Sequence, residues 1–251
     1  MAEKDNNSSS NHLGQMMLRM QDYGLGDLAD ELASEGSLAP LLHTFHSTMH
    51  EWKLLNAYYR GALMEVRTKF DVLNEQFSVE YDRNPIETIK TRIKSLESLL
   101  AKMERTNCPM TLKGIEENIS DFAGIRVICS FIEDVYLLAE CLENQDDVHV
   151  LRVKDYIKNP KPNGYRSLHL IVEVPIFLHG EKRWMKVEVQ LRTIAMNFWA
   201  SLEHKMRYKK DIDPDLAQRL GDDLLLCAEI SNKLDVKMQE VRRELEPLPE
   251  D

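Results

Sequence analysis

A chain of 251 residues with 43% apolar and 29% charged residues can bury a full core, which excludes wholesale disorder. Its 32 basic against 42 acidic residues give a net charge of −10 and a pI near 5.4, so it is poorly suited to coat nucleic acid, whose phosphates demand excess Lys and Arg. No apolar run approaches the roughly 20 residues of a membrane span, and Met1 to Ser10 lacks the apolar stretch of a signal peptide.

Residues 1–37, rich in Asn, Ser, Gly and Asp, read as a flexible leader with a short helix near Met16 to Tyr23. After Pro40 no proline interrupts the stretch to Phe77. Phe45, Met49, Trp52, Leu55, Tyr59, Leu63, Val66, Phe70 and Leu73 recur at helical spacing, which predicts one long helix or two stacked ones over Ala39 to Phe77. Asn84-Pro85-Ile86-Glu87 has the order of an N-cap and first turn. It predicts a helix to about Arg105 that buries Ile86, Ile89, Ile93, Leu96, Leu100 and Met103. On that helix Lys94, Ser98, Lys102 and Arg105 would form one stripe, either a solvent face or a bank of phosphate contacts.

Gly124 to Phe131 is β-branched and nearly continuous, the pattern of a strand covered on both faces. A short helix over Asp134 to Asn144 and a strand over Val148 to Lys154 follow. Ser167 to Leu178 and Trp184 to Thr193 read as an antiparallel hairpin turning at His179-Gly180. Ile194 to about Lys209 and Pro214 to about Leu245 read as helices. The second has an apolar stripe of Leu216, Leu220, Leu224, Cys227, Ile230, Leu234 and Met238. That stripe suits either a partner helix or the helix's own domain. Residues 246–251 form an acidic tail. The fold class is therefore α/β: a mixed sheet flanked by helices, with long helices at both ends, in one domain over residues 38–245. Four separated cysteines without a CxxC pair read as reduced thiols of a cytoplasmic protein, and zinc is not expected.

Charge is concentrated. Residues 152–192 hold nine basic and four acidic side chains, so this stretch is +5 and the remainder is −15. A cationic segment in an acidic chain suits a small polyanion in a pocket, or simply a solvated face. Within it Lys186, Glu188, Gln190 and Arg192 alternate with Val187, Val189 and Leu191. The hairpin turn places His169 roughly opposite Gln190, so the polar faces of both strands coincide. Asn163-Gly164 supplies a tight turn before Tyr165, with Lys158 and Lys161 leading into it. Asp121, at the start of the buried strand, and Glu188 together suit Mg²⁺, which takes one or two carboxylates plus phosphate oxygens. Asp121 also fits a simple turn residue.

Asp121-Phe-Ala-Gly-Ile-Arg126, Asp155-Tyr-Ile, Pro160-Lys161, Gly164-Tyr-Arg-Ser-Leu-His169 and Val187-Glu-Val-Gln-Leu-Arg-Thr193 occur in one order. With Asn197-Phe-Trp-Ala-Ser-Leu-Glu-His204, they resemble the synthetase motifs of the RelA/SpoT family, in its single-domain branch of small alarmone synthetases. The resemblance spans about residues 40 to 240. It implies a nucleotidyltransferase-like core that transfers pyrophosphate from ATP to the 3′-hydroxyl of GTP or GDP, giving pppGpp or ppGpp plus AMP in the stringent response. It makes Asp121 and Glu188 the catalytic, Mg²⁺-binding pair. It assigns Arg92, Lys94, Ser98, Lys102, Arg105 and Arg126 to ATP, with Arg92 and Arg126 flanking adenine. Lys154, Lys161, Tyr165, His169, Gln190 and Asn197 go to the guanosine nucleotide, with Tyr165 stacked on the base. Lys154 stands where the family often has Arg, which keeps the charge and loses the fork. The resemblance also implies a homotetramer in which (p)ppGpp can act as an allosteric ligand at a site with no assigned residue here; the apolar stripe of the last helix makes Leu220, Leu224 and Leu234 candidate contacts. No His is followed by Asp, so the His-Asp hydrolase of the long family members is not expected. A toxin-like pyrophosphotransferase acting on tRNA or adenosine nucleotides is the alternative on the same core.

Overall fold

A computed structural model describes residues 38–80, 83–109, 111–207 and 214–245. The expected leader and tail, and the end of the helix expected to reach Lys209, lie outside the described residues. The chain divides into two compact units, Met1–Ala57 with Lys94–Ile119, and Tyr58–Ile93 with Ser120–Asp251.

Helix α1 (Leu38–Glu80) is a single element of 43 residues. In the second unit its buried side presents Tyr59, Ala62, Val66, Phe70 and Phe77, at the spacing of one helical face. Tyr59 stacks on Phe122 at 4.3 Å between ring centres.

The helix expected from Pro85 to Arg105 does not form as such. Residues Ile86–Ile93 are a strand, β1, and only Leu96–Arg105 is helical, α2. Five of the eight β1 residues are β-branched, and the strand pairs antiparallel along β2 (Ala123–Cys129). The cap lies at Ser95, whose side chain accepts from the Ser98 amide. Two expectations change with it. Lys94 precedes the helix, so only Ser98, Lys102 and Arg105 lie on it. Leu99 and Met103 are the residues α2 buries, rather than Leu96 and Leu100. Helix α3 (Leu112–Asn118) follows in the same unit, capped by Thr111.

The remaining elements are α4 (Ile132–Glu143), β3 (His149–Asp155), β4 (Leu168–Leu178), β5 (Glu181–Thr193), α5 (Ile194–Arg207) and α6 (Pro214–Leu245). The five-stranded sheet has the order β1-β2-β5-β4-β3 and is mixed: β2 and β5 are parallel, the other pairs antiparallel. One sheet face is apolar and buried through Ile125, Val127, Leu170, Val172, Val187, Val189 and Leu191. The turn at His179-Gly180 forms as expected, with Gly180 at φ +94°, and β5 begins three residues earlier than the pattern suggested.

Helix α6 packs on α5 and α4 through an unexpected face. Ala228, Asp235 and Gln239 are buried. Of the expected stripe, Leu224 is half-buried against Trp199, while Leu216, Leu220, Cys227, Ile230, Leu234 and Met238 are exposed. Polar contacts fix the buried side. Thr193 Oγ1 donates to Asp235 Oδ2 at 2.5 Å, Gln239 bonds the Glu133 backbone and side chain, and Arg242 with Arg83 meets Asp134.

Candidate active site

The other face of the sheet carries the candidate site. Ladder partners share a face, so the register defines rows across the strands. One row reads Lys90, Arg126, Gln190, His169, Lys154 from β1 to β3. The next reads Arg92, Gly124, Glu188, Ile171, Arg152. The alternation expected for β5 is present, and His169 faces Gln190 in register. Lys90 and Arg152 are additions. Lys90 lies in a segment whose spacing imitates a helix; Arg152 shares the alternation that places Lys154.

Polar side chains of this face form a connected group. Glu188 Oε1 lies 3.3 Å from His169 Nδ1, and Glu188 Oε2 accepts from Gln190 Nε2 at 2.9 Å. The second ring nitrogen of His169 is 2.8 Å from the Tyr165 hydroxyl. Burial works against the Glu188 carboxylate, and so does the nearby charge of Asp121. The hydrogen bonds from His169 and the Gln190 amide outweigh both and hold Glu188 below the usual carboxylate range. Arg126 is lowered by burial first and then by Arg192 and Arg92, so three guanidiniums sit within mutual influence. Its Nε is buried without a hydrogen-bond partner among the described residues, as is Asn197 Oδ1 on α5.

The loop before β4 is shaped by Gly164, at φ +85°. A Cβ there would also lie 2.5 Å from the Ala228 Cβ of α6, so only glycine fits. The Gly164 amide donates to the Lys161 carbonyl, and the Lys161 amide to that of Tyr165. This folds Lys161 Nζ to 4.7 Å from the Tyr165 ring centre and 4.8 Å from that of Tyr156. The Tyr165 ring also packs against the cluster of Trp199, Ala200 and Ala228. Asp155 fixes the approach by accepting from the amides of Ile157 and Lys158 and from the Tyr136 hydroxyl. Arg92 also borders a cleft of about 380 Å³ between α1 and β1, with Arg60 and Arg67 in its lining.

Lys94, Ser98, Lys102 and Arg105 belong to the other compact unit. There Lys102 and Arg105 occupy the last turn of α2, and Ser98 accepts a 2.9 Å bond from the Ser95 hydroxyl. The second unit alone thus brings together Asp121, Arg126, Glu188, Gln190, His169 and Tyr165, with Asn197 on the adjoining helix.

Two carboxylates close enough to repel, on a face otherwise lined with cations and amides, suit a hard divalent ion completed by phosphate oxygens and water. Among the described residues no group of three or more His, Cys, Asp or Glu could hold a metal by itself.

Residues 91–213 match the family model described as "Region found in RelA / SpoT proteins". The chain is 44% identical over 200 residues to the GTP pyrophosphokinase YwaC of Bacillus subtilis, covering 80% of this chain and 94% of that protein. A solved structure of the small alarmone synthetase 1 from Bacillus subtilis bound to its product pppGpp superposes with a TM-score of 0.71 at 34% identity, covering 78% of this chain and 99% of that one. The same synthetase bound to AMPCPP gives 0.64 at 31% identity, covering 78% and 98%.

Proposed function

The chain belongs to the RelA/SpoT family, and from that membership we propose that the polar face of its sheet carries out pyrophosphate transfer from ATP to the ribose 3′-hydroxyl of GTP or GDP. The protein is a GTP pyrophosphokinase that synthesises (p)ppGpp. The observation that carries the siting is the Asp121–Glu188 pair amid Arg126, Gln190 and His169.

In this reading Arg92 and Arg126 flank the adenine of ATP, and Lys94, Ser98, Lys102 and Arg105 serve its phosphates. Tyr165 stacks on guanine, with His169, Gln190 and Asn197 toward the same nucleotide and Lys154 and Lys161 toward its phosphates. The buried Asn197 Oδ1 can accept from a guanine N–H. The 3′-oxygen attacks the β-phosphorus, the bond from that phosphorus to the α-phosphate bridging oxygen breaks, and AMP leaves with the electron pair. Glu188 either accepts the hydroxyl proton or serves only to hold the metal. Transfer of this kind depends chiefly on in-line positioning and charge neutralisation. A divalent ion, Mg²⁺, held by Asp121 and Glu188 would withdraw charge from the phosphates when bound.

The exposed apolar stripe of α6 supports the homotetramer, and Phe198, Leu202 and Met206 of α5 add exposed apolar surface. Among the candidate contacts Leu224 is half-buried against Trp199, while Leu220 and Leu234 are 43% and 58% exposed. Light scattering should give a mass near four chains, and a double Ile230→Glu, Leu234→Glu variant a smaller one; a single-chain mass for the unaltered protein would remove the assembly. (p)ppGpp as an allosteric ligand and a cytoplasmic location complete the reading. No helix among the described residues is long and apolar enough to cross a membrane. The test of the reaction is incubation with γ-labelled ATP and GTP, GDP or tRNA. Label should appear on the guanosine nucleotide with AMP in equal amount; label on tRNA alone would overturn the acceptor.

A further inference from the structure

Arg192 stands at the head of the polar group on the sheet. It is 4% exposed. Among the described residues its hydrogen bonds run to a serine, a phenol and an amide, none of them a carboxylate. One nitrogen, Nη2, makes two of these, to Tyr165 Oη at 2.5 Å and Gln190 Oε1 at 3.0 Å. Burying a guanidinium among neutral partners costs stability, so its place asks for a function.

Hydrogen-bond direction supplies one. A guanidinium only donates. Tyr165 Oη therefore accepts from Arg192 and turns its single hydrogen toward His169 Nε2, 2.8 Å away. That nitrogen then accepts, so the ring proton sits on Nδ1 and points at Glu188 Oε1. On the second arm Gln190 Oε1 is taken by Arg192, which leaves the amide NH₂ to donate to Glu188 Oε2. Both arms begin on one nitrogen of Arg192 and end on the two oxygens of one carboxylate. Ser167 braces the guanidinium: it accepts from Nε and donates its own hydrogen to the Leu191 carbonyl.

We propose that Arg192 is a positioning residue for the acceptor side of the reaction, which directs both arms of this circuit so that His169 is held as its Nδ1–H tautomer and Glu188 faces a donor on each oxygen. The proposal rests on the reading that Glu188 and Tyr165 serve the acceptor nucleotide. Its functional consequence is that the carboxylate and the tyrosine ring are fixed relative to each other before substrate arrives.

The direct test is ¹⁵N NMR of histidine-labelled, ligand-free protein at about pH 8.5, above the ordinary imidazole range, with His169→Gln used to assign the signal. The expected result is a protonated Nδ1 and a bare Nε2 at His169. Tyr165→Phe removes the hydrogen bond received at Nε2 and should shift the signal of that nitrogen even if Arg192→Met fails to fold. In Arg192→Met, kcat and the KM for GTP should together worsen about ten- to hundredfold while the KM for ATP stays within about twofold. Arg192→Lys, which also only donates, should recover part of the loss. An Nε2–H tautomer in the unaltered protein, or a Tyr165→Phe spectrum unchanged at His169, would overturn the proposal. Because tautomer is read without turnover, this failure is separable from failure of the acceptor assignment, which appears only as an unaltered KM for GTP in Tyr165→Leu.

Discussion

The sheet and helix α6 both carry polar residues at regular intervals, and they turn them in opposite directions. On the sheet, Arg126, Glu188, Gln190 and His169 face away from the apolar core. On α6, Asp235 and Gln239 face inward while Ile230, Leu234 and Met238 face out. The inward residues bond Thr193 and Glu133, closing a structural contact between helices and strand. The sheet residues bond mainly one another and converge on Glu188; Arg126 Nε on the sheet and Asn197 Oδ1 on α5 have no hydrogen-bond partner among the described residues. Periodicity therefore identifies a face, and partners decide whether that face holds the protein together or holds a ligand.

Substitutions on the two faces should separate activity from stability. The largest effect is expected from Asp121→Asn, which should lower turnover on the order of 10³-fold or more with the melting curve unchanged; wild-type turnover at saturating Mg²⁺ would remove the metal role. On the structural side, Asp134→Ala removes the buried carboxylate that Arg83 and Arg242 share and should cost about 3 kcal/mol, seen in urea unfolding. Its KM values should not change. Tyr165→Leu sharpens the ligand face: base stacking is worth about 1–3 kcal/mol, so calorimetry should show weaker GTP binding with ATP binding preserved.

The smallest effect concerns Asp235. Burial raises its pKa above the ordinary value, and the Thr193 hydrogen bond offsets only part of that. A raised folded pKa means that the ionised carboxylate costs stability at neutral pH, and the cost disappears as pH falls through the folded value toward the unfolded one. Asp235→Asn keeps an acceptor for Thr193 and should raise Tm at pH 7 by at most about 2–4 °C. Scanning calorimetry should show the gain shrinking toward pH 4; a gain that grew on acidification would have the sign wrong.

The sheet face is legible from sequence because its evidence is local. Alternation in Lys186 to Arg192 and a two-residue turn at His179-Gly180 are sufficient to oppose His169 and Gln190. Strand β1 is not, because Asn84-Pro85 imitates a helix start and Ile86, Ile89 and Ile93 also fit helical spacing. The deciding term is pairing with β2, some way along the chain. The inward face of α6 is hidden for the same reason: Asp235 and Gln239 take partners 42 and 106 residues away. A stripe of leucines suggests packing, and nothing local reveals that a stronger polar anchor claims the opposite side. Family resemblance supplies the roles of Asp121, Tyr165 and Asn197, which no spacing rule assigns.

Hydrogen–deuterium exchange, with and without AMPCPP plus GDP and Mg²⁺, compares the two faces in one measurement. Protection should rise in the segments around Asp121 to Arg126, Lys161 to His169 and Lys186 to Arg192, and should not change over Ala228 to Arg242. Protection confined to α6, with the sheet segments unaffected, would contradict the placement of the reaction on the polar face of the sheet.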